Sequence, residues 1–286
     1  MVDFFGGQAD LKDHVVRVLH NLSFVEDPTR SFRAVRFERR YGFTMGKQTL
    51  ALLQSAVRNQ LFNRLSGRRL FTELRLILRE RRPAGAIARM KELGLLRFIH
   101  PSLDFNEKTE QIMDRCEDLI AWRALAFPDQ PVEEWLVRFL AMTDQLDEGE
   151  MAELPDRFPT EQKIINGMID ARALIEKAMK KIVTTRTMTP SALYEALRPI
   201  SVEALLFMAA REEDSRLRKG ITSYLSELKD TKPFVTGDDL VSLGLPSSPK
   251  LGRVLRKTFE AQLDRRINSR EEAMVFAKGL MESGGG

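Results

Sequence analysis

The stretch DPTRSFRAVRFERRYG, residues 27–42, combines a helix start, a helix stop and a row of arginines. Proline suits the first helical position and aspartate is a favoured cap before it, so we predict a helix from Pro28 to about Tyr41 that ends at Gly42. Steps of three and four predict a basic stripe on one side of this helix, formed by Arg30, Arg33, Arg36 and Arg40. The same spacing predicts a separate apolar stripe, formed by Ala34, Phe37 and Tyr41.

An acid and an arginine, Asp27 and Arg30, lie three residues apart at this helix start. Held side by side, the carboxylate can accept a hydrogen bond from the amino group of adenine or cytosine, and the guanidinium can donate one to the neighbouring ring nitrogen. Guanine and uracil present the opposite pattern and would leave buried polar groups unpaired. The pair is therefore a candidate contact for a nucleobase. The alternative is that Asp27 only caps the helix, by accepting from the backbone N–H near Arg30.

The arginine stripe also has two interpretations. Like charges in contact destabilise a helix unless anions meet them, and the planar guanidinium group suits phosphate. The stripe is therefore typical of a surface that meets a polyanion. The alternative is a solvated basic face, with Glu26 pairing Arg30 and with Glu38 nearby.

The string EDPTR, residues 26–30, resembles the ED-x-x-R motif of the class II tRNA nucleotidyltransferase and bacterial poly(A) polymerase family. The next residues, FRAVRFERRYGF, resemble the helix that follows this motif in that family. Residues 2–11, VDFFGGQADL, resemble the linker that joins the family's catalytic head to its neck. The resemblance implies that Asp27 and Arg30 contact the base of the incoming nucleotide.

The resemblance also implies residues that support this template. Near the motif they are Glu26, Arg33 and Arg36. In GRRLFTEL, which resembles the segment that braces the template, they are Arg69 and Glu73, four residues apart. An ordinary salt bridge within one helix is an equally open interpretation of that pair.

The sequence contains no Asp-x-Asp pair. Phosphoryl transfer in the family needs closely spaced carboxylates that hold divalent metals. The adjacent Asp238 and Asp239 do not have that spacing, and neither do Asp144 and Asp147. We therefore predict no catalytic residue, no metal ligand and no cofactor in this chain. We expect ATP, with CTP as the second candidate, and Mg²⁺ to bind with a catalytic head that the chain lacks.

Charge is unevenly distributed along the 286 residues. Residues 1–100 carry nineteen basic and nine acidic side chains, whereas residues 101–230 carry seventeen basic and twenty-five acidic ones. Apolar residues recur at helical spacing nearly throughout, and prolines separate the helices. We predict an elongated all-α array: the end of a head and linker at 1–20, a neck at 21–104, a helical body at 105–230 and an RNA-binding tail at 231–286.

The tail regains a positive charge. The run PSSPKLGRVLRK, residues 246–257, predicts a helix start at Pro249 that faces an anion such as an RNA phosphate. The alternative is that Pro249 and Gly252 only let two helices pack closely. Ser269 and Glu272 predict a cap for the last helix. The predicted RNA-binding residues of neck and tail are Arg64, Arg68, Lys250, Gly252, Arg253 and Arg256.

Together these patterns predict the RNA-binding, nucleotide-selecting region of a template-independent nucleotidyltransferase. The expected substrates are a nucleoside triphosphate and the 3′ end of a tRNA, receiving CCA or a terminal A, or another RNA that receives poly(A). A single cysteine and the lack of a long apolar run predict a cytoplasmic protein with no membrane partner. The alternative is a helical RNA-binding or assembly module that acts alone.

Overall fold

The computed structural model describes residues 3–184, 188–242, 244 and 249–282, apart from the side chains of residues 63, 64 and 184. Its regular structure comprises sixteen α-helices and one pair of two-residue strands within that part of the chain. The all-α prediction is confirmed. The described helices include none with the length and apolar character needed to span a bilayer.

One compact unit comprises Met1–Ala173 and Leu206–Arg211. Its helices, in chain order, are α1 (Gly7–Lys12), α2 (Ser23–Glu26), α3 (Arg30–Tyr41), α4 (Lys47–Arg58), α5 (Gly67–Leu78), α6 (Ala84–Glu92), α7 (Glu107–Ala126), α8 (Glu134–Met142) and α9 (Glu148–Arg157). Two strands, β1 (Val15–Val16) and β2 (Thr44–Met45), pair in parallel. Short 3-10 turns span Leu61–Arg64, Leu96–Phe98 and Pro159–Glu161. The long α10 (Gln162–Thr184) begins in this unit.

Helix α3 begins two residues later than the sequence predicts. Asp27 has extended backbone (φ −144°, ψ 91°) and its side chain holds a turn, so Thr29 becomes the N-cap of the helix. At the other end, the chain leaves α3 through Gly42 with φ 65°, and the predicted stop is confirmed. This left-handed conformation suits glycine because other residues place their Cβ too close to the backbone.

The buried face of α3 differs from the predicted apolar stripe. Phe32 and Val35 are fully buried beside Ala34, whereas Tyr41 is 54% exposed. The Tyr41 ring lies at the end of the helix, against the rings of Phe37 and Phe43, with centroids 5.9 and 5.7 Å away. Tyr41, the last residue of the predicted apolar stripe, therefore lies outside the buried face of α3.

Helix α5 packs its apolar face against α8 and the end of α9. The Phe71 ring lies 5.9 Å from Trp135, 6.0 Å from Phe139 and 5.2 Å from Phe158. Trp135 and Phe139 are buried, while Trp122 is only half-buried. This aromatic contact fixes α5 against the rest of the unit.

A buried arginine holds the C-terminal end of α5. Arg138 is 2% exposed and donates to both carboxylate oxygens of Glu117, at 2.6 and 2.9 Å. Its Nη1 donates to the carbonyl oxygen of Leu78, the last residue of α5, at 2.9 Å. A helix end leaves its carbonyl groups without intrahelical partners, so this bond satisfies one of them.

Two parts of the chain differ from the prediction that prolines separate the helices. Helix α9 contains Pro155, and a capping box formed by Asp147 and Glu150 starts this helix. Residues 202–228 contain no proline, yet they are divided into α12 (Val202–Arg211), α13 (Ser215–Ser223) and a π-helical turn (Tyr224–Leu228). Asp214 starts α13 by accepting from the Arg216 N–H at 2.8 Å.

The second unit comprises Leu174–Leu205 and Glu212–Gly286. Its further helices are α11 (Pro190–Leu197), α14 (Gly237–Ser242), α15 (Pro249–Leu263) and α16 (Arg270–Glu282). The last three surround a buried cluster formed by Val235, Leu240, Val254, Ala261, Ile267, Ala273 and Ala277. The predicted cap of α16 is confirmed, since Ser269 Oγ accepts from the Glu272 N–H at 3.1 Å.

Candidate nucleotide and RNA interface

The Asp27 carboxylate lies in the turn between α2 and α3. Its Oδ1 accepts two hydrogen bonds from Thr29, from the backbone N–H at 3.1 Å and from the hydroxyl at 2.5 Å. Its Oδ2 forms an ion pair with Arg69 Nη2 at 2.8 Å. The Asp27 side chain therefore accepts from the turn at Thr29 and not from the backbone N–H near Arg30. Its second oxygen, Oδ2, faces cationic side chains.

The Arg30 guanidinium lies next to this carboxylate. Its Nε is 4.0 Å from Asp27 Oδ2, and its Nη1 is 3.6 Å from Glu26 Oε2. The same Nη1 donates to the carbonyl oxygen of Ser23 at 3.3 Å. Among the described residues Arg30 Nη2 has no hydrogen-bond partner. The structure thus brings Asp27 and Arg30 together, with one donor nitrogen open.

Arg69 and Glu73 reach this corner from α5. Arg69 pairs with Asp27, and the ordinary salt bridge between Arg69 and Glu73 does not form in the described part of the chain. Burial raises the pKa of the Glu73 carboxyl, while the nearby Arg36 and Arg33 oppose that rise. Glu73 Oε2 is buried and has no hydrogen-bond partner among the described residues. Glu73 therefore interacts electrostatically with the charged residues around it, and forms no hydrogen bond to Asp27 or Arg30 in the described part of the chain.

Internal carboxylates meet part of the arginine stripe. Arg36 and Arg40 both reach Glu80 Oε1, at 3.4 and 3.1 Å. Glu38 does not contribute to this stripe; it is buried, pairs with Arg89 at 2.9 Å and accepts from the backbone N–H of Met45. The stripe is thus partly neutralised by the fold itself.

Two predicted RNA-binding arginines precede or begin α5. Arg68 is exposed, and its side chain has no hydrogen-bond or ion-pair partner in the described part of the chain. The exposed Arg33 on α3 has none either. The side chain of Arg64 lies outside the described residues. The open guanidinium groups of Arg33 and Arg68 can meet phosphates.

The predicted anion site on α15 is only partly open. Lys250 Nζ donates to the carbonyl oxygen of Met281 at 3.1 Å and so holds the end of α16. Arg253 is exposed without a side-chain partner among the described residues, and Arg256 lies 3.7 Å from Glu260. A Cβ at Gly252 would meet none of the described residues within 4 Å. Within that part of the chain, Gly252 is not a point of close helix packing.

Two residues of the site, Thr29 and Glu80, were not among the predicted site residues. Thr29 could have been found from the sequence, because a hydroxyl two residues after an aspartate is a common turn partner. Glu80 has no such indication in the sequence, because it lies 44 residues from Arg36 and only the packing of α3 beside α5 brings the two together.

Metal binding has no support in the described residues, where no group of three histidine, cysteine, aspartate or glutamate side chains is arranged to hold an ion. In the two acidic pairs of the sequence, Asp238–Asp239 and Asp144–Asp147, the following carboxylates have partners within the protein. Asp239 accepts from Thr236 and pairs with Arg270 at 2.6 Å. Asp144 pairs with Arg211 at 3.2 Å, and Asp147 starts α9.

Comparison with known proteins gives consistent matches. Residues 42–107 match a family model described as the probable RNA and SrmB-binding site of polymerase A. The A-adding tRNA nucleotidyltransferase of Geobacter sulfurreducens is 39% identical over 99% of this chain, which spans 33% of that relative.

Two solved structures match along essentially the whole chain. The Thermotoga maritima CCA-adding enzyme complexed with tRNA gives a TM-score of 0.75 at 29% identity, covering 99% of this chain and 67% of that one. A CCA-adding enzyme with CTP gives a TM-score of 0.76 at 30% identity, covering 100% of this chain and 67% of that one. The chain therefore belongs to the family of CCA-adding and A-adding tRNA nucleotidyltransferases.

Proposed function

We propose that this chain selects the incoming nucleotide and binds the RNA in a nucleotidyltransferase that extends tRNA 3′ ends. The observation that supports the proposal is the proximity of the Asp27 carboxylate and the Arg30 guanidinium, with Arg30 Nε 4.0 Å from Asp27 Oδ2. Asp27 Oδ2 is an acceptor with a free side, and Arg30 Nη2 is a donor without a hydrogen-bond partner among the described residues. The edges of adenine and cytosine complement both groups. ATP is the expected nucleotide and CTP the second candidate.

The proposed organisation assigns separate tasks along the chain. The neck, residues 21–104, contacts the base through Asp27 and Arg30, supported by the ion pair with Arg69. The tail, residues 231–286, contacts RNA through the exposed Arg253 and Arg256. The body at 105–230 joins them. A catalytic head, with Mg²⁺ and the triphosphate, supplies the bond-forming step, and the reaction takes place in the cytoplasm.

Base choice is tested in the chain joined to or supplemented with a catalytic head, by extension of tRNA with each of the four nucleoside triphosphates. Asp27→Asn places an amide nitrogen where the carboxylate accepts a hydrogen bond. We expect the preference for ATP and CTP over GTP and UTP to fall about tenfold or more, because a mispaired buried polar group costs on the order of 1–3 kcal/mol. Asp13→Asn, the same change at an exposed carboxyl, should leave the preference unchanged. Unchanged selectivity in Asp27→Asn would contradict the proposal.

RNA binding is tested on the chain itself with tRNA. Arg253→Ala and Arg256→Ala should each weaken binding and reduce the slope of log affinity against log salt by about one, as expected for a lost phosphate contact. Arg216→Ala, on the exposed start of α13, is the control and should leave the slope unchanged. Equal binding of tRNA and an unrelated polyanion would exclude specific tRNA recognition and favour a general RNA-binding module.

A further inference from the structure

We propose that Thr29 is a positioning residue for base selection, an inference that rests on the proposed base contact of Asp27. Thr29 lies inside the ED-x-x-R motif, between the two residues that face the base, and is 4% exposed. Its buried side chain is directed at the carboxylate and not at solvent.

Both hydrogen-bonding groups of Thr29 bind one oxygen of Asp27. The backbone N–H and the hydroxyl donate to Oδ1 at 3.1 and 2.5 Å. A carboxylate oxygen has two lone-pair sites, so Oδ1 is fully used within the turn. The base amino group must therefore be accepted by Oδ2.

The second oxygen has room for one more donor. Arg69 approaches Oδ2 at 2.8 Å, whereas Arg30 Nε, at 4.0 Å, is too distant for a hydrogen bond. A base amino group can occupy the remaining side of Oδ2 while the base ring nitrogen faces Arg30. Thr29 thus fixes the plane of the carboxylate, and with it the position of the oxygen that faces the base.

The hydroxyl also restricts rotation of the carboxylate. The terminal torsion of an aspartate side chain is broad and roughly two-fold, so a carboxylate without fixed partners samples many orientations. Turning the Asp27 carboxylate part of the way about this torsion breaks both bonds from Thr29, whereas a half-turn only exchanges its two equivalent oxygens. With the backbone bond alone, the acceptor is less precisely placed beside Arg30, and discrimination between base edges declines.

The test measures nucleotide preference in the full chain by ligand-observed NMR with ATP, CTP, GTP and UTP at millimolar concentration. Thr29→Val removes the hydroxyl at constant volume and should reduce the preference for ATP and CTP about fivefold, as expected for one lost hydrogen bond. Thr29→Ser keeps the hydroxyl and should retain the preference. Thermal unfolding of each variant separates this effect from loss of fold, and Thr29→Ala replaces Thr29→Val if the latter does not fold.

Asp27→Asn is measured in parallel, so that two failures can be distinguished. If Asp27→Asn loses the preference and Thr29→Val keeps it, the role of Thr29 is overturned and the base contact stands. If the wild-type chain has no preference, or Asp27→Asn keeps it, the proposed base contact fails and the role of Thr29 fails with it. Loss in Thr29→Ser equal to that in Thr29→Val would assign the effect to packing and overturn the positioning role.

Discussion

Helices α5 and α15 both carry basic residues and a glycine in their first turn, yet the two turns are built differently. In α5, a Cβ at Gly67 would overlap the carbonyl oxygen of Arg157, and Arg69 is held by Asp27. In α15, Gly252 borders open space and Arg253 has no side-chain partner in the described part of the chain. Similar sequence patterns thus give a tightly packed glycine and a paired arginine in one helix, and an open glycine and an unpaired arginine in the other.

The largest expected effect concerns the fixed end of α5. Arg138→Ala leaves Glu117 as a buried charge without its partner and the Leu78 carbonyl without its donor. We expect the free energy of unfolding to fall by about 3–5 kcal/mol. Urea denaturation measures this loss.

The control is Arg79→Ala, one residue after α5, where the arginine forms an exposed pair with Glu133 at 3.5 Å. It should cost less than about 1 kcal/mol, the usual range for exposed ion pairs. Equal losses in the two variants would contradict a scaffold role for Arg138.

The two glycines give a matched pair of intermediate effects with opposite sign. Gly67→Ala forces the Arg157 backbone to move and should lower the free energy of unfolding by about 1–3 kcal/mol. Gly252→Ala adds a methyl group in open space within a helix and should raise it by about 0.5–1 kcal/mol. Chemical denaturation of both variants gives the comparison. A stabilised Gly67→Ala would mean that the neighbouring backbone yields freely, and the contrast between the helices would disappear.

The smallest expected effect is a pH dependence at Glu73 on α5. Because burial raises its pKa in the folded protein, the folded state holds this proton more tightly than the unfolded chain. The contribution of Glu73 to stability is therefore fully present below its ordinary pKa of 4.5 and declines as the pH rises through the folded value. Glu73→Gln should remove this decline. Denaturation from acidic to neutral pH checks it: a difference between variant and wild type that does not grow with pH would contradict the assignment.

The sequence predicted the parts of the fold that depend on local signals. The Gly42 stop and the Ser269 cap were predicted from residue spacing and capping preferences, and the structure confirms them. Local signals failed where a side chain altered the backbone, as when the Asp27–Thr29 turn delayed the start of α3. They failed again at Pro155, which α9 accommodates near its C-terminal end.

The candidate site was predictable in its residues but not in its contacts. The motif indicated Asp27 and Arg30, and the structure places them together. The partner of Arg69 was not predictable, because its pair with Asp27 joins helices that are distant in sequence. The same limit applies to Glu80, whose two arginines come from α3. Charge patterns locate basic surfaces, while tertiary packing decides which arginines remain available to a ligand.

The short strand pair gives a way to observe local opening at the start of the chain. The backbone N–H groups of Thr44 and Gly46 donate to the carbonyl oxygens of His14 and Val16. These two acceptors belong to residues 3–22, a segment without a buried side chain. The Met45 N–H donates instead to the buried carboxylate of Glu38. Detachment of that segment would expose the two outward amides to hydrogen exchange while Met45 stays protected. Three consecutive amides therefore separate fraying of the segment next to the Asp27 turn from unfolding of the helices that hold it.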